Sequence, residues 1–170
     1  KPGSPEAAHH ERDPDNRWLW RHPVRRLEAE AVWDNLHLAA GLLDLHVGGP
    51  SFEPGDRAGT GQGSAAAPTK RRRGAYMTRG FSTSREATPD FLRTFDAEDG
   101  RDPCPMRTRT VTAPQALFLM NSPEVGRAAE ALAARLRAEA GDDLPRAVDL
   151  AYRRVLSRPP TGKERERSLT

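Results

Sequence analysis

Cysteine is almost absent from this chain, and its scarcity excludes both disulfide and covalent haem sites. The 170 residues contain a single cysteine, Cys104, so an internal disulfide is excluded. A covalent c-type haem is excluded within these residues too, because its attachment requires a C-x-x-C-H motif. Of the five histidines only His37 and His46 share a predicted helix, without the i, i+4 spacing of a helical zinc pair. We therefore predict no metal site and no cofactor in this chain.

An excess of one charge and a long apolar run are also lacking. The 27 basic side chains are nearly matched by 24 acidic ones, and this balance argues against a nucleic-acid-binding protein. The one dense basic run, 70–73, is interpreted as a solvated linker end rather than a phosphate site. No apolar stretch approaches the roughly 20 residues that cross a bilayer, so no membrane span is predicted. Residues 1–12 also lack the apolar segment of a signal peptide and are expected to form a linker.

Two further candidate sites have plain structural interpretations. The acidic stretch 96–102 lacks the ligand alternation and the closing glutamate of an EF-hand, so it predicts a solvated loop rather than a calcium site. Cys104 stands between two prolines with no histidine nearby in the sequence to act as its base. This context favours a packed thiol over a nucleophile.

Helix boundaries are abundant, by contrast, and they predict a mainly α-helical fold. Asp13 and Pro14 suit the start of a short helix that runs to Trp20. A long helix is predicted over 24–46, its buried stripe formed by Leu27, Ala31, Leu38, Leu42 and Leu45. The next predicted elements are a short strand within 74–81 and a helix capped by Thr88 that buries Phe91, Leu92 and Phe95.

The second half of the chain carries the clearest signals. Thr112 and Gln115 match a capping box, and the apolar faces of the following short helix are formed by Ala116, Leu117, Leu119 and Met120. Ser122 and Pro123 start another helix directly. The remaining predicted boundaries are a stop at Gly141, a start near Pro145, and a second capping box at Thr161 and Glu164.

Composition and length indicate one domain with an insertion. Segment 53–69 is rich in Gly, Ala, Pro and Ser and has no aromatic residue to bury, so it predicts a flexible insertion. We expect a single helical domain over 13–170 with one short β element.

The most suggestive functional feature is a set of arginines, acids and tryptophans near the N-terminus. Such side chains bind an anionic or sugar ligand through arginine forks and ring stacking. They are equally suited to an internal salt-bridge network that fixes two helices. The candidate residues are Asp15, Asn16, Arg17, Trp20, Arg25, Arg26 and Glu30.

Several motifs in this order resemble one family. They are DPDNR with RRLEAEAVWD, then VGGPSF, then FLRTFDAEDGRDPCPMR, then TVTAPQALFLMNSPEV with AYRRVLSRPPTGKE. Together, over about 13–164, the chain resembles the planctomycete-type domain of unknown function fifteen-fifty-three, the PSD-one domain. The family's upstream N-R-x-W and F-G segment is absent, so the chain is expected to be the later two-thirds of that domain.

The resemblance implies a module at the C-terminal side of an exported, extracytoplasmic multidomain protein. Its implied partners are sister domains of the same polypeptide, among them a c-type cytochrome domain that would carry haem c. We expect an interaction or scaffold module, or one that binds a polysaccharide. The alternative is part of a redox-linked or hydrolytic enzyme completed by the upstream region, for which carboxylates such as Glu28, Glu30 or Asp34 would have to converge in a pocket.

Overall fold

A computed structural model of the chain describes residues 5–23, 25–52, 71–82, 85–86, 89–98, 100 and 103–170, and it is mainly α-helical, as predicted. The helices in these ranges are α1 (Pro5–Arg12), α2 (Ala29–Ala40), α3 (Asp90–Thr94), α4 (Ala113–Asn121), α5 (Pro123–Ala140), α6 (Leu144–Leu156) and α7 (Gly162–Leu169). Two short strand pairs accompany them: β1 (Leu43–Asp44) is parallel to β2 (Arg71–Arg72), and β3 (Phe81–Ser82) is antiparallel to β4 (Arg85–Glu86). The predicted insertion 53–69 and the predicted cap Thr88 lie outside the described residues.

An aromatic cluster forms the core between α2, α3 and α4. The Trp33 and Phe91 rings meet at 5.5 Å between centroids, and Phe91 and Phe95 meet at 5.0 Å. Phe118 of α4 packs against Phe91 of α3 and against Phe95, which follows this helix. As predicted, α3 buries its apolar side, with Leu92 completely inaccessible to solvent. Aromatic pairs at these spacings stabilise the cluster beyond the burial of their area.

The long helix predicted over 24–46 is wrong in both its length and its buried face. Only α2 is helical, because Glu28 is still extended and Gly41 ends the helix in the left-handed conformation with φ 75°. The buried residues of α2 are Ala29, Trp33, His37 and Ala40. The leucines at 27 and 38, which the predicted stripe placed inside, are exposed. A polar histidine therefore takes a core position that the apolar pattern assigned to leucine.

The first helix also lies elsewhere than predicted. Residues 5–12, which we assigned to a linker, form α1, whereas 13–20 form a series of turns. Asp13 does not cap a following helix, because its carboxylate instead accepts hydrogen bonds from the backbone N–H groups of Arg17 and Trp18, both at 2.8 Å. The boundary of the domain at residue 13 stays a prediction.

The β element predicted at 74–81 is displaced. Gly74–Tyr76 form a turn of 3₁₀ helix, and strand pairing occurs on either side of it. Met77 makes an isolated bridge with Phe52. Glycine at position 74 permits the close approach of this turn to α2, since a Cβ there would lie 2.8 Å from the Cα of Glu30.

Predictions for the second half are largely confirmed. The Thr112 and Gln115 capping box opens α4, and the hydroxyl of Ser122 accepts from the N–H of Glu124 at the start of α5. Gly141 ends α5, and a second capping box at Thr161 and Glu164 opens α7. Helices α5, α6 and α7 pack sequentially, and α5 also packs on α2. No helix in the described ranges is both long and apolar enough to cross a membrane.

Candidate functional site

The candidate residues divide into three separate groups in the structure. Asn16 and Trp20 belong to the turns that follow α1, Arg26 belongs to a hub centred on Asp96, and Glu30 lies in an ion-pair network on α2. The side chains of Asp15, Arg17 and Arg25 are exposed. Whether the set binds a ligand stays a prediction.

Trp20 ties the turns to α1. Its indole N–H donates to the carbonyl of Asp13 at 2.8 Å, and its ring stacks on His9 with 5.8 Å between centroids. Asn16 closes the turns, because its side-chain amide donates to the carbonyl of Arg21 at 2.7 Å and accepts from the Arg21 N–H at 3.1 Å. These two candidate residues therefore hold the local fold.

Arg26 joins three segments that are distant in sequence. Its guanidinium donates to the carbonyl of Thr110 at 2.7 Å and to the carboxylate of Asp96 at 2.5 Å. It also reaches the carbonyl of Phe95 at 3.3 Å and lies over the phenyl ring of that residue. The planar fork of arginine donors explains why one side chain can satisfy all of these acceptors. Arg26 thus belongs to the frame of the site.

Asp96 is the acceptor at the centre of this hub. Its carboxylate accepts from the N–H of Thr110 at 2.8 Å and from the Thr110 hydroxyl, and Gln115 contributes a longer contact at 3.4 Å. Burial acts to raise the pKa of Asp96, but the Thr110 hydrogen bonds, the charge of Arg26 and the contact from Gln115 together lower it. The carboxylate is therefore held in its charged form.

Glu30 is similarly enclosed by cations. It accepts from Arg79, and from Arg107 at 2.9 Å. Burial acts to raise the pKa of Glu30, yet the hydrogen bonds from Arg79 and Arg107 lower it overall. A carboxyl with a lowered pKa does not hold a proton at neutral pH, so this arrangement is unsuited to a general acid.

The other two carboxylates of the enzyme hypothesis are engaged in the same way. Glu28 accepts from Arg107 at 3.2 Å and from Arg109 at 3.1 Å. Asp34 accepts from the N–H of Gly74 at 2.6 Å and from Arg73 at 3.1 Å. Each acid faces arginines rather than another acid, which is the internal salt-bridge arrangement. The described geometry thus gives the hydrolytic alternative no support.

An open cleft of about 530 Å³ lies beside the start of α2. Arginines from two distant segments supply its charge, while Leu27 and Pro23 supply apolar wall. The side chains that line it are His22, Pro23, Arg25, Arg26, Leu27, Glu28, Ala31 and Arg109. We call this feature the arginine cleft. Within the described residues, Arg25 has no hydrogen-bond or ion-pair partner, so its guanidinium is available to a ligand.

Sequence reasoning missed two residues of the arginine cleft. Neither His22 nor Arg109 is among the candidate residues of the sequence analysis, and both line the cleft. Arg109 is more than 80 positions from Glu28, with which it pairs, and no local pattern reports such a contact. The RRLE sequence at 25–28 could have indicated part of the site, since three of its residues are charged.

A buried charged node between α2, β2 and α5 was also missed. His37 is fully buried, and its Nε2 lies 3.0 Å from Oε1 of Glu124. Arg71 donates to the same oxygen at 2.9 Å, and Arg127 pairs with the other oxygen. His37 and Arg71 are 87 and 53 residues from Glu124 in the sequence, and Arg127 lies one turn further along α5. The node is therefore visible only in the folded chain.

The apolar face of α4 points outward, contrary to prediction. Gln115 is buried and Phe118 packs on the core, whereas Leu117, Leu119 and Met120 are exposed. The polar residue is inside because its side-chain amide bonds to Thr110 and Asp96. The residues exposed at helical spacing are Ala113, Ala116, Leu117 and Met120, which we call the α4 face.

The other candidate sites remain without a ligand set. In the ranges that the structure describes, histidines, cysteine and acids form no group of three or more that could hold a metal ion. Cys104 is exposed, so the packed thiol that we predicted is wrong. Partial desolvation of the sulfur and a hydrogen bond to Glu98 raise the pKa of this thiol, which disfavours its reactive thiolate.

Comparison with known proteins decides the family. The sequence model of PSD1, protein of unknown function (DUF1553), matches residues 3–170. The chain belongs to the PSD1 family. The match confirms the family resemblance of the sequence motifs and also includes α1, which precedes them. No curated protein and no solved structure significantly matches this PSD1 chain.

Proposed function

We propose that this PSD1 chain is a binding module that recognises an acidic polysaccharide through the arginine cleft. The observation that carries the proposal is the cleft itself, in which Arg25 and Arg109 reach one surface from segments more than 80 residues apart. Arginine presents donors in a planar fork that matches carboxylate and sulfate oxygens. The apolar wall of Leu27 and Pro23 suits the carbon skeleton of a sugar.

The frame of the cleft supports recognition rather than chemistry. Arg26 is fixed by four acceptors, and Glu28 positions Arg109 at 3.1 Å, so two of the three guanidinium groups are preorganised. Arg25 is left to contact the ligand. Preorganised donors lose less entropy on binding, and the free guanidinium supplies a charge-assisted bond.

Calorimetric titration of the full chain tests this proposal. The probes are a sulfated tetrasaccharide, a galacturonate tetrasaccharide and neutral cellotetraose. Binding of either acidic probe but not of cellotetraose is expected, and the stronger of the two identifies sulfate or carboxylate as the recognised group. Because exposed charges are screened over about 8 Å at physiological salt, affinity should fall as salt is raised.

The matched variants are Arg25→Gln and Arg167→Gln. Arg25→Gln should weaken binding about tenfold, because a hydrogen bond to a charged group contributes about 1.5 kcal/mol or more. Arg167 is an exposed arginine on α7, which packs on α6, and its replacement should leave the affinity unchanged. Equal affinity of Arg25→Gln and the parent chain, or no binding of either acidic probe, contradicts the proposal.

A second candidate function rests on the α4 face. Exposed contiguous apolar side chains mark interaction surfaces, and Leu117 and Met120 lie one turn apart on this face. We propose that a sister domain of the same exported polypeptide packs here, the partner that the family resemblance implies. Met120→Glu should separate the two domains in cross-linking of the longer polypeptide without lowering the thermal midpoint of this chain. Unchanged cross-linking contradicts the assignment.

The wider setting is likewise a proposal. We propose an extracytoplasmic protein in which a sister domain carries haem c, on the strength of the family resemblance. A haem absorption band in the purified longer polypeptide, with a C-x-x-C-H motif in its sequence, is the expected result. Neither feature is expected if the chain works apart from cytochromes.

A further inference from the structure

A second exposed feature lies just before the arginine cleft in the sequence. The turns at 13–21, which we call the Trp18 loop, present one indole ring to solvent, with 79% of Trp18 exposed. Leu19 beside it is similarly exposed. The other two tryptophans have structural partners, since Trp33 is buried in the core and Trp20 bonds to Asp13. An indole in water would gain free energy from the burial of its ring, so Trp18 is available to contact a ligand.

A buried carboxylate fixes the backbone beneath the indole. Asp13 is almost fully buried, and its two oxygens accept from the consecutive N–H groups of Arg17 and Trp18, each at 2.8 Å. The carbonyl of Asp13 also accepts from the Trp20 indole. The exposed ring therefore stands on a backbone that is anchored on both sides.

Two strained residues show how firmly the Trp18 loop is held. Asn16 and Leu19 adopt the left-handed conformation with φ 55° and 53°. Asn16 secures the end of the loop through its two hydrogen bonds with Arg21. A leucine stays in this region only where its surroundings determine the backbone, because its Cβ is crowded there. A loop held in this way loses little conformational entropy when it binds.

The Trp18 loop is continuous with the arginine cleft. His22, which lines the cleft, is four positions after Trp18, so their Cα atoms lie at most about 14 Å apart. Exposed guanidinium groups of Arg17 and Arg21 belong to the same loop. An extended anionic ligand that runs from the cleft toward residue 18 would meet the indole and further positive charge.

We propose that Trp18 is a stacking subsite for a sugar ring of the acidic polysaccharide whose charged groups occupy the arginine cleft, an inference that rests on the function proposed above. A pyranose ring has an apolar C–H face that packs on an indole, and its substituents remain free to meet the arginines. A stable protein interface needs about 800 Å² from each partner. The exposed apolar area of the loop comes from Trp18 and Leu19, which suits a single ring better than a protein surface.

Binding of long and short sugars by Trp18→Ala tests the subsite. The full chain is titrated with the acidic tetrasaccharide that it binds and with the corresponding charged monosaccharide. Trp18→Ala should weaken tetrasaccharide binding about fivefold, the effect of one aromatic stacking contact, and should leave monosaccharide binding unchanged. Trp18→Tyr should restore most of the affinity. In the parent chain the tetrasaccharide should also protect Trp18 fluorescence from acrylamide quenching.

Val47→Ala is the matched control, because this side chain is as exposed as Trp18 but lies neither in the lining of the arginine cleft nor on the α4 face. Equal tetrasaccharide binding by Trp18→Ala and the parent, with binding by Arg25→Gln impaired, overturns the stacking subsite and leaves the proposed function standing. If Trp18→Ala weakens tetrasaccharide binding and Arg25→Gln does not, the proposed role of the arginine cleft is wrong instead. If Trp18→Ala weakens the monosaccharide and the tetrasaccharide equally, the indole acts on the cleft and is not a separate subsite.

Discussion

His37 and Glu124 meet in the interior of the protein, with Nε2 of the imidazole 3.0 Å from Oε1 of the carboxylate. The other ring nitrogen of His37 lies 2.9 Å from the carbonyl of Trp33. The contact joins α2 to α5 through a buried polar pair rather than an apolar one.

Glu124→Gln is expected to destabilise the fold by about 3 kcal/mol, because it leaves the largely buried guanidinium of Arg71 without its counter-charge. Burial acts to raise the pKa of Glu124, but hydrogen bonds from His37, Arg127 and Arg71 lower it well below the usual value of 4.5. The unfolded chain therefore takes up this proton first as the pH falls. The contribution of the ionised Glu124 side chain to the free energy of unfolding is complete above about pH 4.5 and is lost progressively below it. Urea unfolding between pH 7 and 3 would measure this loss.

The double variant His37→Gln/Glu124→Gln serves as the control for that pair. Residues in direct contact give a coupling free energy of about 1 kcal/mol or more in a double-mutant cycle. Additive effects of the two single variants would show that the 3.0 Å contact is not energetically coupled.

Gly74→Ala should destabilise the protein by about 2 kcal/mol. The added Cβ would lie 2.8 Å from the Cα and 3.0 Å from the backbone oxygen of Glu30, and backbone atoms cannot move aside as a side-chain end can. Gly126→Ala is the matched control, because nothing lies within 4 Å of its added Cβ in α5. This control should stabilise the helix by about 0.5 kcal/mol. Thermal unfolding compares the two, and equal midpoints would contradict the prediction.

Arg26→Lys should cost about 2 kcal/mol although it preserves the charge. An ammonium cannot reach the carbonyls of Thr110 and Phe95 and the carboxylate of Asp96 at the same time. Arg25→Lys, one position earlier and exposed, should change the unfolding midpoint little. If Arg26→Lys and Arg25→Lys lower the free energy of unfolding equally in chemical denaturation, the hydrogen bonds of the Arg26 guanidinium are not specifically required.

Glu164 should titrate with a pKa of about 2 in a carbon NMR experiment. Arg158 donates to both of its oxygens, at 2.8 and 2.7 Å, and the N–H of Thr161 adds a third bond. Because its pKa is lowered in the folded chain, the contribution of ionised Glu164 to stability is present above pH 4.5 and is lost as the pH falls toward 2. Arg158→Gln should raise the pKa toward 4.5, and an unchanged titration would show that the pair is absent in solution.

Sequence rules for helix capping correctly predicted the helix ends that depend only on neighbouring residues. Ser122 and Pro123 begin α5 and Gly141 ends it, because capping depends on residues within one turn. The same rules failed for α2. Gly41 ends this helix before the apolar pattern does, and Arg25–Glu28 stay outside it while Arg26 bonds to segments about 70 and 84 residues away.

The candidate site was predictable only in part. Arg25 and Arg26 were identified from their charge and spacing, but Arg109 and His22 join them through the tertiary fold. Periodicity also cannot say which side of α4 is buried. Its core contact depends on Phe118 and on the hydrogen bonds of Gln115 to a carboxylate in another segment.

The short pairings on either side of segment 53–70 have a practical consequence. Phe52 bridges to Met77 before the segment, and Arg71 pairs with Leu43 directly after it. The two ends are therefore anchored independently of each other, and doubling the length of a connection adds only about 0.6 kcal/mol of closure entropy. A fluorescent or affinity reporter inserted between Phe52 and Arg71 should therefore leave the pairings at both ends in place.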